Sequence, residues 1–257
     1  MPSLEASDLA GSQTIRKALA VLRVLAAGLS GGVSLQEIAG ATGLARPTVH
    51  RILKTLVAEG VVEQHIRTRR YSIGEQIPLL ALARPKRSPL LEAAEPIIGR
   101  AASAIGDTVF LTIRTGDDTV CVARRMGSFP IQVLVIEVGA RRPLGVSSAG
   151  LAILSRLPEA EAIGVIARNA ARFAAYRTDR DRASMLLEAT RRRGYALSDP
   201  GLVPGTKALS VPIMSDTSEI IAALTVAAVR QRLRPRREAE LSNELASYCA
   251  QIARSIS

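Results

Sequence analysis

A chain of 257 residues is long enough for one large domain or two modest ones. Hydrophobic residues make up 47% of it, but aromatic residues make up only 3% and tryptophan is absent, so any core must be largely aliphatic. The net charge of +11 fits a polyanionic partner or an acidic ligand, although a merely soluble protein is also compatible with it.

Other classes of protein are disfavoured by what the sequence lacks. Cys121 and Cys249 are too few and too far apart for a disulfide framework, and neither has a metal-binding partner nearby. No apolar run approaches the ~20 residues that span a bilayer, and the first residues carry acids without the apolar core of a signal peptide. We therefore expect a cytoplasmic protein with no membrane partner, metal or cofactor.

The chain is predicted to begin with a flexible tail over residues 1–12 and then a helix from Gln13 to Gly28. Apolar residues recur in this helix at the spacing of one buried face. Those expected on that face are Ile15, Leu19, Leu22, Val24 and Leu25.

Residues 34–60 predict two short helices joined by a tight turn. Ser34 is a good N-cap for the first, and Glu37 completes a capping box with it. Gly43 ends this helix, and Pro47 lies in the first turn of the second, where its missing N–H costs nothing. The second helix ends at Gly60, and its buried face is predicted to contain Val49, Ile52, Leu53, Leu56 and Val57.

The other face of the second helix carries donors and short hydroxyls near a helix N-terminus. A recognition helix presents such residues to base edges in the major groove and its amides to phosphates. The alternative is a basic, solvated face on an ordinary helical hairpin. The helix spacing, the helix caps and the side-chain donors together favour a DNA-binding helix instead. The candidate contacts are Arg46, Thr48, His50, Arg51 and Lys54, with Ser34 at the start of the preceding helix.

Val61–Gln64 and Arg70–Ile73 predict two short strands that form a wing. Arg67, Arg69 and Arg70 would then face phosphates, contacts that position a protein without specifying sequence. A solvated turn would explain the same arginines.

The segment from Glu75 to Arg87 is predicted to be a linker helix, although its leucines could instead pack on their own domain. A helix is expected from Ser88 to Ile105, kinked or broken at Pro96. The helices expected in this half flank antiparallel strands, which favours an α+β domain. Strands are expected at Asp107–Arg114, Thr119–Arg125, Ile131–Val138, Ala208–Ile213 and Ile220–Val229, and helices at Ser147–Leu157, from Pro158, at Ala183–Arg193 and at Pro235–Ile256.

The sequence gives little indication of a catalytic site. Residues 145–149 lack the second glycine of a nucleophile elbow, and residues 205–207 do not follow the order of a phosphate-binding loop. No histidine lies in the second domain, and turns explain Asp199 and Asp216. We therefore expect no enzyme and no catalytic residue.

Residues 45–64, with the later Tyr71-Ser72-Ile73-Gly74, resemble the winged-helix domain of the IclR family of bacterial transcription regulators. Weaker similarity at 141–157, 194–213 and 220–229 extends the resemblance over about residues 13–256. The departures lie in the second half, where Gly145 replaces a usual histidine, Leu151 a lysine, Pro200-Gly201 an acidic pair, and Thr225 and Ala227 two serines.

The resemblance implies a winged helix-turn-helix domain at 13–74, a linker helix at 75–88 that helps a dimer form, and a GAF-like α+β effector domain at 89–257. Amides around residues 148–150 can hold a carboxylate at a helix N-terminus, and Ser198 and Thr225 supply directional hydrogen bonds. Alternatively, Ser147 and Ser148 could simply cap a helix, and Thr225 could occupy a strand position without contacting a ligand. The effector contacts implied by position are Ser148, Ala149, Ser198, Asp199, Ala208, Thr225 and Ala227.

The sequence thus predicts a transcription regulator that binds a pseudo-palindromic site on double-stranded DNA as a homodimer or a dimer of dimers. We expect its effector to be a small organic acid, aromatic or similarly flat, or a related carbonyl compound. A constitutive or architectural DNA-binding protein, whose second domain only oligomerises, is the alternative. An enzyme with an appended winged helix is the third hypothesis.

Overall fold

The computed structural model describes residues 13–28, 31–83, 88–134, 136–199 and 203–256. The chain divides into two compact units, Met1–Pro85 and Lys86–Ser257. The predicted tail at 1–12 lies outside the described residues. Among the helices of the described ranges, none is both long and apolar enough to cross a bilayer.

The N-terminal unit is a three-helix core with a two-stranded hairpin, as predicted. The capping box of α2 is present: Ser34 N donates to Glu37 Oε2 over 2.7 Å, and Glu37 N donates to Ser34 Oγ over 3.3 Å. Gly43 ends α2 with a φ of 68°, a left-handed conformation that glycine adopts readily. The elements are α1 (Gln13–Ala27), α2 (Leu35–Thr42), α3 (Arg46–Ala58), β1 (Val62–Gln64), β2 (Tyr71–Ile73) and α4 (Gln76–Leu82).

The core of this unit is aliphatic, apart from the ring of Tyr71, and it corrects part of the predicted helix faces. Val21 and Leu25 of α1 are buried against α2 and α3, but Ile15 and Leu19 are 62% and 44% exposed. Their prediction as core residues was wrong, because the stripe that meets the other helices is narrower than the apolar set. Val57 near the end of α3 is likewise exposed.

Helix α4 lies in the segment predicted as a linker, whose residues 84–87 fall outside the described ranges. Leu79, Leu80 and Leu82 are exposed within this chain. The alternative that these leucines pack on their own domain is therefore wrong for these three.

The C-terminal unit is an α+β domain built on a six-stranded antiparallel sheet of order β5-β4-β3-β8-β7-β6. Short 3-10 helices lie at Ala174–Tyr176 and Arg230–Arg232. The other elements are α5 (Pro89–Ile105), β3 (Thr108–Thr115), β4 (Asp118–Arg125), β5 (Arg141–Pro143), α6 (Ser148–Leu154), α7 (Glu159–Phe173), α8 (Arg180–Arg193), β6 (Ala196–Ser198), β7 (Thr206–Met214), β8 (Ile220–Val229) and α9 (Pro235–Ile256).

Alternation along the strands gives the sheet two different faces. One face packs Leu111, Leu209 and Leu224 against α5 and α9 in a continuous apolar core. On the other face, α6, α7 and α8 cover part of the sheet and pack on Ala196 and Ala223. The candidate cavity described below lies on this second face.

Two predictions for this unit were wrong. The expected strand at Ile131–Val138 is irregular chain in its described residues, because the edge of β4 is taken by the short strand β5. Helix α5 runs unbroken through Pro96, which is exposed, so the break expected there as one alternative was wrong, and the kink stays a prediction. The short strands β5 and β6 were not predicted.

Candidate functional sites

The first candidate site is the exposed face of α3 in the N-terminal unit. Val49, Ile52 and Leu53 are buried, so the opposite side of the helix is left to solvent. Arg46, His50, Arg51 and Lys54 are all exposed on that helix, and Thr48 is half-buried. The N-cap residue Ala45 makes no side-chain capping bond, and its backbone oxygen accepts from Thr48 N over 2.9 Å.

The predicted wing is present as the hairpin of β1 and β2, but its arginines differ in their surroundings. Arg67 and Arg69 are exposed. Arg70 instead donates from Nε to Gly32 O over 3.0 Å and from a terminal nitrogen to Glu37 Oε2 over 2.9 Å. Hydrogen bonds from Ser34 and then from Arg70 lower the pKa of Glu37. Arg70 and Ser34 therefore tie the wing to the start of α2.

The second candidate site is a cavity on the face of the sheet that α6 covers. Antiparallel pairing sets Phe110 beside Thr225 and Thr225 beside Ser210, which makes one row of side chains across three strands. Ala227 and Ala208 pair in the neighbouring row. Of the seven predicted effector contacts, the structure brings six to the walls of this cavity, namely Ser148, Ala149, Ser198, Ala208, Thr225 and Ala227.

A chain of buried hydroxyl groups runs along one wall of the cavity. Ser210 Oγ donates to Ser148 Oγ over 2.8 Å and lies 2.7 Å from Thr225 Oγ1. Hydroxyls can both donate and accept hydrogen bonds, so these groups could either donate to a ligand oxygen or accept from a ligand donor. Ser147 caps α6 by accepting from Gly150 N over 3.2 Å, which already uses one of the helix amides expected to hold a carboxylate.

The cavity is nearly closed by the irregular segment that follows β4. Val133 and Ile136 lie over it, and Gln132 Oε1 fixes the segment by accepting from Thr108 Oγ1 over 2.7 Å. The free volume is about 30 Å³, enough for a water molecule or two but too small for an organic acid. A larger ligand therefore requires this roof, residues 131–134 with Ile136, to move.

Asp199, the seventh predicted contact, does not line this cavity. Its carboxylate lies 3.1 Å from Lys207 Nζ and 3.0 Å from Arg230 Nε. Lys207, which does line the cavity, also binds Glu238 Oε1 at 2.5 Å. Burial alone would lower the pKa of Lys207, but the hydrogen bonds and charges of Glu238 and Asp199 outweigh it, and the pKa is raised.

Sequence reasoning missed several residues that line the cavity, among them Phe110, Val133, Ile136 and Lys207. It also missed Ser210, whose hydroxyl bonds two of the lining residues. Ser210 follows Ala208 by two positions in a strand and so shares its face, a signal that was present in the sequence. No neighbouring residue indicated a role for Lys207, because its partner Glu238 is distant in the chain.

Within the described ranges, no cluster of three or more His, Cys, Asp or Glu residues could hold a metal ion.

Comparison with known protein families gives matches over both units. The family model described as Bacterial transcriptional regulator IclR C-terminal matches residues 82–257. The model described as IclR helix-turn-helix domain matches residues 14–65.

Individual proteins show the same likeness along nearly the whole chain. The HTH-type transcriptional regulator BhcR of Paracoccus denitrificans is 29% identical over 242 residues, which cover 93% of this chain and 86% of that protein. The crystal structure of an IclR family transcriptional regulator from Brucella abortus has a TM-score of 0.79 at 22% identity and covers 100% of this chain and 97% of its own. An IclR homologue from Microbacterium hydrocarbonoxydans, solved with 4-hydroxybenzoate, has a TM-score of 0.66 at 21% identity and covers 95% and 99%.

Proposed function

Because the chain belongs to the IclR family of bacterial transcription regulators, we propose that a small organic acid bound in its C-terminal unit controls how its N-terminal unit binds an operator. The family assignment rests on the two matching domain models. The identity of the acid and the residues that contact it are the proposed part.

The hydroxyl chain of Ser148, Ser210 and Thr225 is the observation that carries the effector proposal. Buried hydroxyls joined to one another, beside the small side chains of Ala208 and Ala227, form a polar wall next to a space that larger residues would fill. One end of a ligand would meet oxygen partners, and its body would lie against Phe110, Val133 and Ile136. Such a site fits a compact, flat acid, amide or hydrazide.

The solved neighbour from Microbacterium hydrocarbonoxydans supports this class of ligand, because it holds 4-hydroxybenzoate. The volume of the cavity, about 30 Å³, means that such a ligand would enter only with displacement of the roof. A roof of irregular chain moves more readily than a paired strand, because few backbone hydrogen bonds must break.

We propose that Arg46, Thr48 and Arg51 of α3 read base edges, with His50 and Lys54 beside them, and that Arg67 and Arg69 hold phosphates. The exposure of these side chains and the buried opposite face of α3 support this division. For Arg70 and Ser34 we propose a supporting role, because both are engaged with Glu37.

We propose further that the protein acts as a homodimer or a dimer of dimers on a pseudo-palindromic site. Exposed leucines on α4 and exposed Ile15 and Leu19 on α1 support an apolar contact between copies. Contiguous exposed apolar side chains commonly mark such surfaces.

Calorimetric titration of a panel of benzoates and short 2-oxo acids tests the effector site. Thr225→Val and Ser148→Leu should abolish or strongly weaken the best ligand, since one removes a hydroxyl and the other fills the space. Thr190→Val is the matched control, because Thr190 is also buried but its hydroxyl donates to Leu186 O in α8. Equal binding to wild type and both cavity variants would place the effector elsewhere.

The same panel of compounds distinguishes effector control from the alternative function, a constitutive regulator. A constitutive regulator would bind no compound of the panel, and its operator affinity would not change when any of them was added. A ligand that changes operator affinity in wild type, but not in Thr225→Val, supports effector control.

Operator binding tests the division of labour within the N-terminal unit. Arg46→Ala or Arg51→Ala should cost roughly 1–3 kcal/mol of binding free energy and relax the sequence preference. Arg67→Ala and Arg69→Ala should instead weaken all sequences alike and lower the salt slope by about 1 each. Altered base preference in the wing variants alone would reverse the assignment.

A further inference from the structure

A second and larger cavity lies beside the effector cavity in the C-terminal unit. It has a volume of about 500 Å³ and is bounded by β5, by the 3-10 helix at Ala174–Tyr176, by the start of α8 and by the end of β6. We propose that this cavity binds a small organic polyanion, a compound that carries at least two phosphate or carboxylate charges. It is a separate site from the proposed effector cavity.

Arginines from three different elements meet at this cavity. Arg142 comes from β5, Arg177 follows the 3-10 helix, and Arg182 lies in the first turn of α8. The planar guanidinium group matches carboxylate and phosphate oxygens with paired hydrogen bonds. Their convergence on one cavity, with Arg142 distant in the chain from the other two, is the basis of the proposal.

The strand geometry of β5 directs Arg142 toward the cavity. The adjacent Arg141 donates to Asp118 Oδ2 over 2.6 Å, and successive side chains of a strand point to opposite sides. Arg142 is half-buried, and this burial lowers its pKa, while the nearby Tyr176 acts in the opposite direction. A guanidinium stays charged under these conditions, so Arg142 contributes a positive charge to the wall of the cavity.

The side chains of Arg177 and Arg182 form no ion pair in the part of the chain that the structure describes. The backbone N–H of Arg182 donates to Asp179 Oδ1 over 2.8 Å. The acidic residue on the cavity wall is Asp199, whose carboxylate is already engaged by Lys207 and Arg230. The guanidinium groups of Arg177 and Arg182 are therefore not paired with this carboxylate of the cavity wall.

Thr178 adds a neutral donor to this set. Its hydroxyl oxygen is buried and has no hydrogen-bond partner among the described residues, although the residue lies on the wall of a large cavity. Buried polar groups are normally paired. An anionic oxygen in the cavity would accept a hydrogen bond from this hydroxyl.

The remaining walls define the size and character of the ligand. Apolar side chains of Val146, Leu186 and Leu197 line the cavity beside the arginines. A bare inorganic ion would leave these walls and most of the volume unfilled. A carbon skeleton with anionic groups, such as a sugar phosphate or a tricarboxylate, would contact both the arginines and the apolar walls.

Ser198 lines both cavities. A ligand in the basic cavity would therefore contact the same short strand, β6, that borders the effector cavity. Binding at one site should then change affinity at the other by an equal factor in each direction, as linkage requires.

The test is calorimetric titration of the full-length protein with inorganic phosphate, citrate and fructose 6-phosphate at constant ionic strength. The variant Arg177→Gln/Arg182→Gln removes two charges from the cavity. Arg180→Gln/Arg192→Gln is the matched control, because it removes two charges from exposed positions of α8 that do not line the cavity. This control accounts for anion binding to the basic N-terminal unit.

We expect citrate or fructose 6-phosphate to bind saturably and more tightly than inorganic phosphate. The cavity variant should raise the dissociation constant by about tenfold or more, as loss of charge-assisted hydrogen bonds predicts, and the control should change it by less than about twofold. Thr178→Val should weaken binding without a loss of charge, while Thr225→Val should leave it unchanged.

Three results would overturn the proposal. The first is the absence of saturable binding by every probe. The second is equal weakening in the cavity variant and its control. The third is loss of polyanion binding in Thr225→Val, which would place the ligand in the effector cavity instead.

Discussion

The two faces of the C-terminal sheet are built from the same strands and differ in what their side chains do. Along β8, Leu224 and Val226 enter the core formed with α5 and α9. The intervening Thr225 and Ala227 point to the opposite face, at the effector cavity. Both sets are almost fully buried, so burial alone does not distinguish them.

Side-chain size and polarity make the difference. The closed face, defined by the packing of the strands on α5 and α9, combines branched aliphatic residues such as Leu224 with alanines such as Ala228, all buried against those helices. The cavity face contains hydroxyls and alanines under an irregular roof. A fully packed face contributes stability, whereas small and polar residues give up part of that packing and leave a space that a ligand can enter.

The largest expected effect is loss of packing on the closed face. Leu224→Ala should lower the free energy of unfolding by about 2–5 kcal/mol, because the removed side chain leaves a cavity that close-packed neighbours cannot fill. Urea unfolding followed by circular dichroism measures it. The comparison between the faces would fail if Thr225→Ala, one position away, destabilised the protein as much.

A larger side chain introduced at two adjacent residues, one on each face, should have different effects on stability. Ala228→Leu on the closed face should cost about 1–3 kcal/mol, because added methylene groups force neighbours out of position. Ala227→Leu should cost less, since the roof over the cavity can shift, yet it should abolish binding of the effector panel. A larger loss of stability in Ala227→Leu would show that the roof is as rigid as the closed face.

A hydroxyl on the cavity face should matter more for binding than for folding. Ser210→Ala should cost about 1 kcal/mol of stability, the usual contribution of one hydrogen bond, and should also weaken the effector. Ser155→Ala is the control, because its hydroxyl donates to a backbone oxygen in α6, Ala152 O, over 2.7 Å. Comparable loss of ligand affinity in both variants would indicate a general loosening of α6.

The smallest effects concern the two thiols, one on each face. Burial raises the pKa of Cys121, on the cavity face, to about 11 and that of Cys249, on the closed face, to about 12. The unfolded thiols ionise near about 8.5, so the unfolded chain loses these protons first. Stability that is complete below that pH should fall as the pH rises toward the folded values.

The slope of unfolding free energy against pH above about 8.5 should therefore be shallower in Cys121→Ala and in Cys249→Ala. Labelling of the folded protein at pH 8 compares the faces directly. Cys121 lies in a small cluster with Val133 of the roof, so its rate should follow roof opening and exceed that of Cys249. Faster labelling of Cys249 would locate the looser packing on the closed face.

The helix-turn-helix was readable from the sequence because its determinants are local. A capping box, a glycine at a helix end and a helical repeat of apolar residues act within a few positions of one another. The confirmed capping box of Ser34 and Glu37 is an example. The hairpin of β3 and β4 and the central strands β7 and β8 were predicted for similar reasons, from alternation and turn residues.

Contacts between distant parts of the chain decided the rest. Ile131–Val138 has the composition of a strand, but β5 takes the available edge and Gln132 fixes the segment as a roof. The resemblance to a known family located six of the thirteen residues that line the proposed effector cavity, while the closure of that cavity was visible only in three dimensions. The pairing of Arg70 with Glu37, 33 residues away, was likewise not visible in the sequence.

Local spacing in the sequence by itself indicated the helix-turn-helix and the two-unit organisation, and the resemblance of its motifs to known proteins indicated the family. Tertiary structure decided which cavity each polar residue lines. It separated Asp199 from the other predicted contacts, joined Ser210 to the hydroxyl chain and gathered three arginines around a second cavity. The physical reason is that pairing register, helix packing and buried charge partners are set by residues far apart in the chain, which no local pattern records.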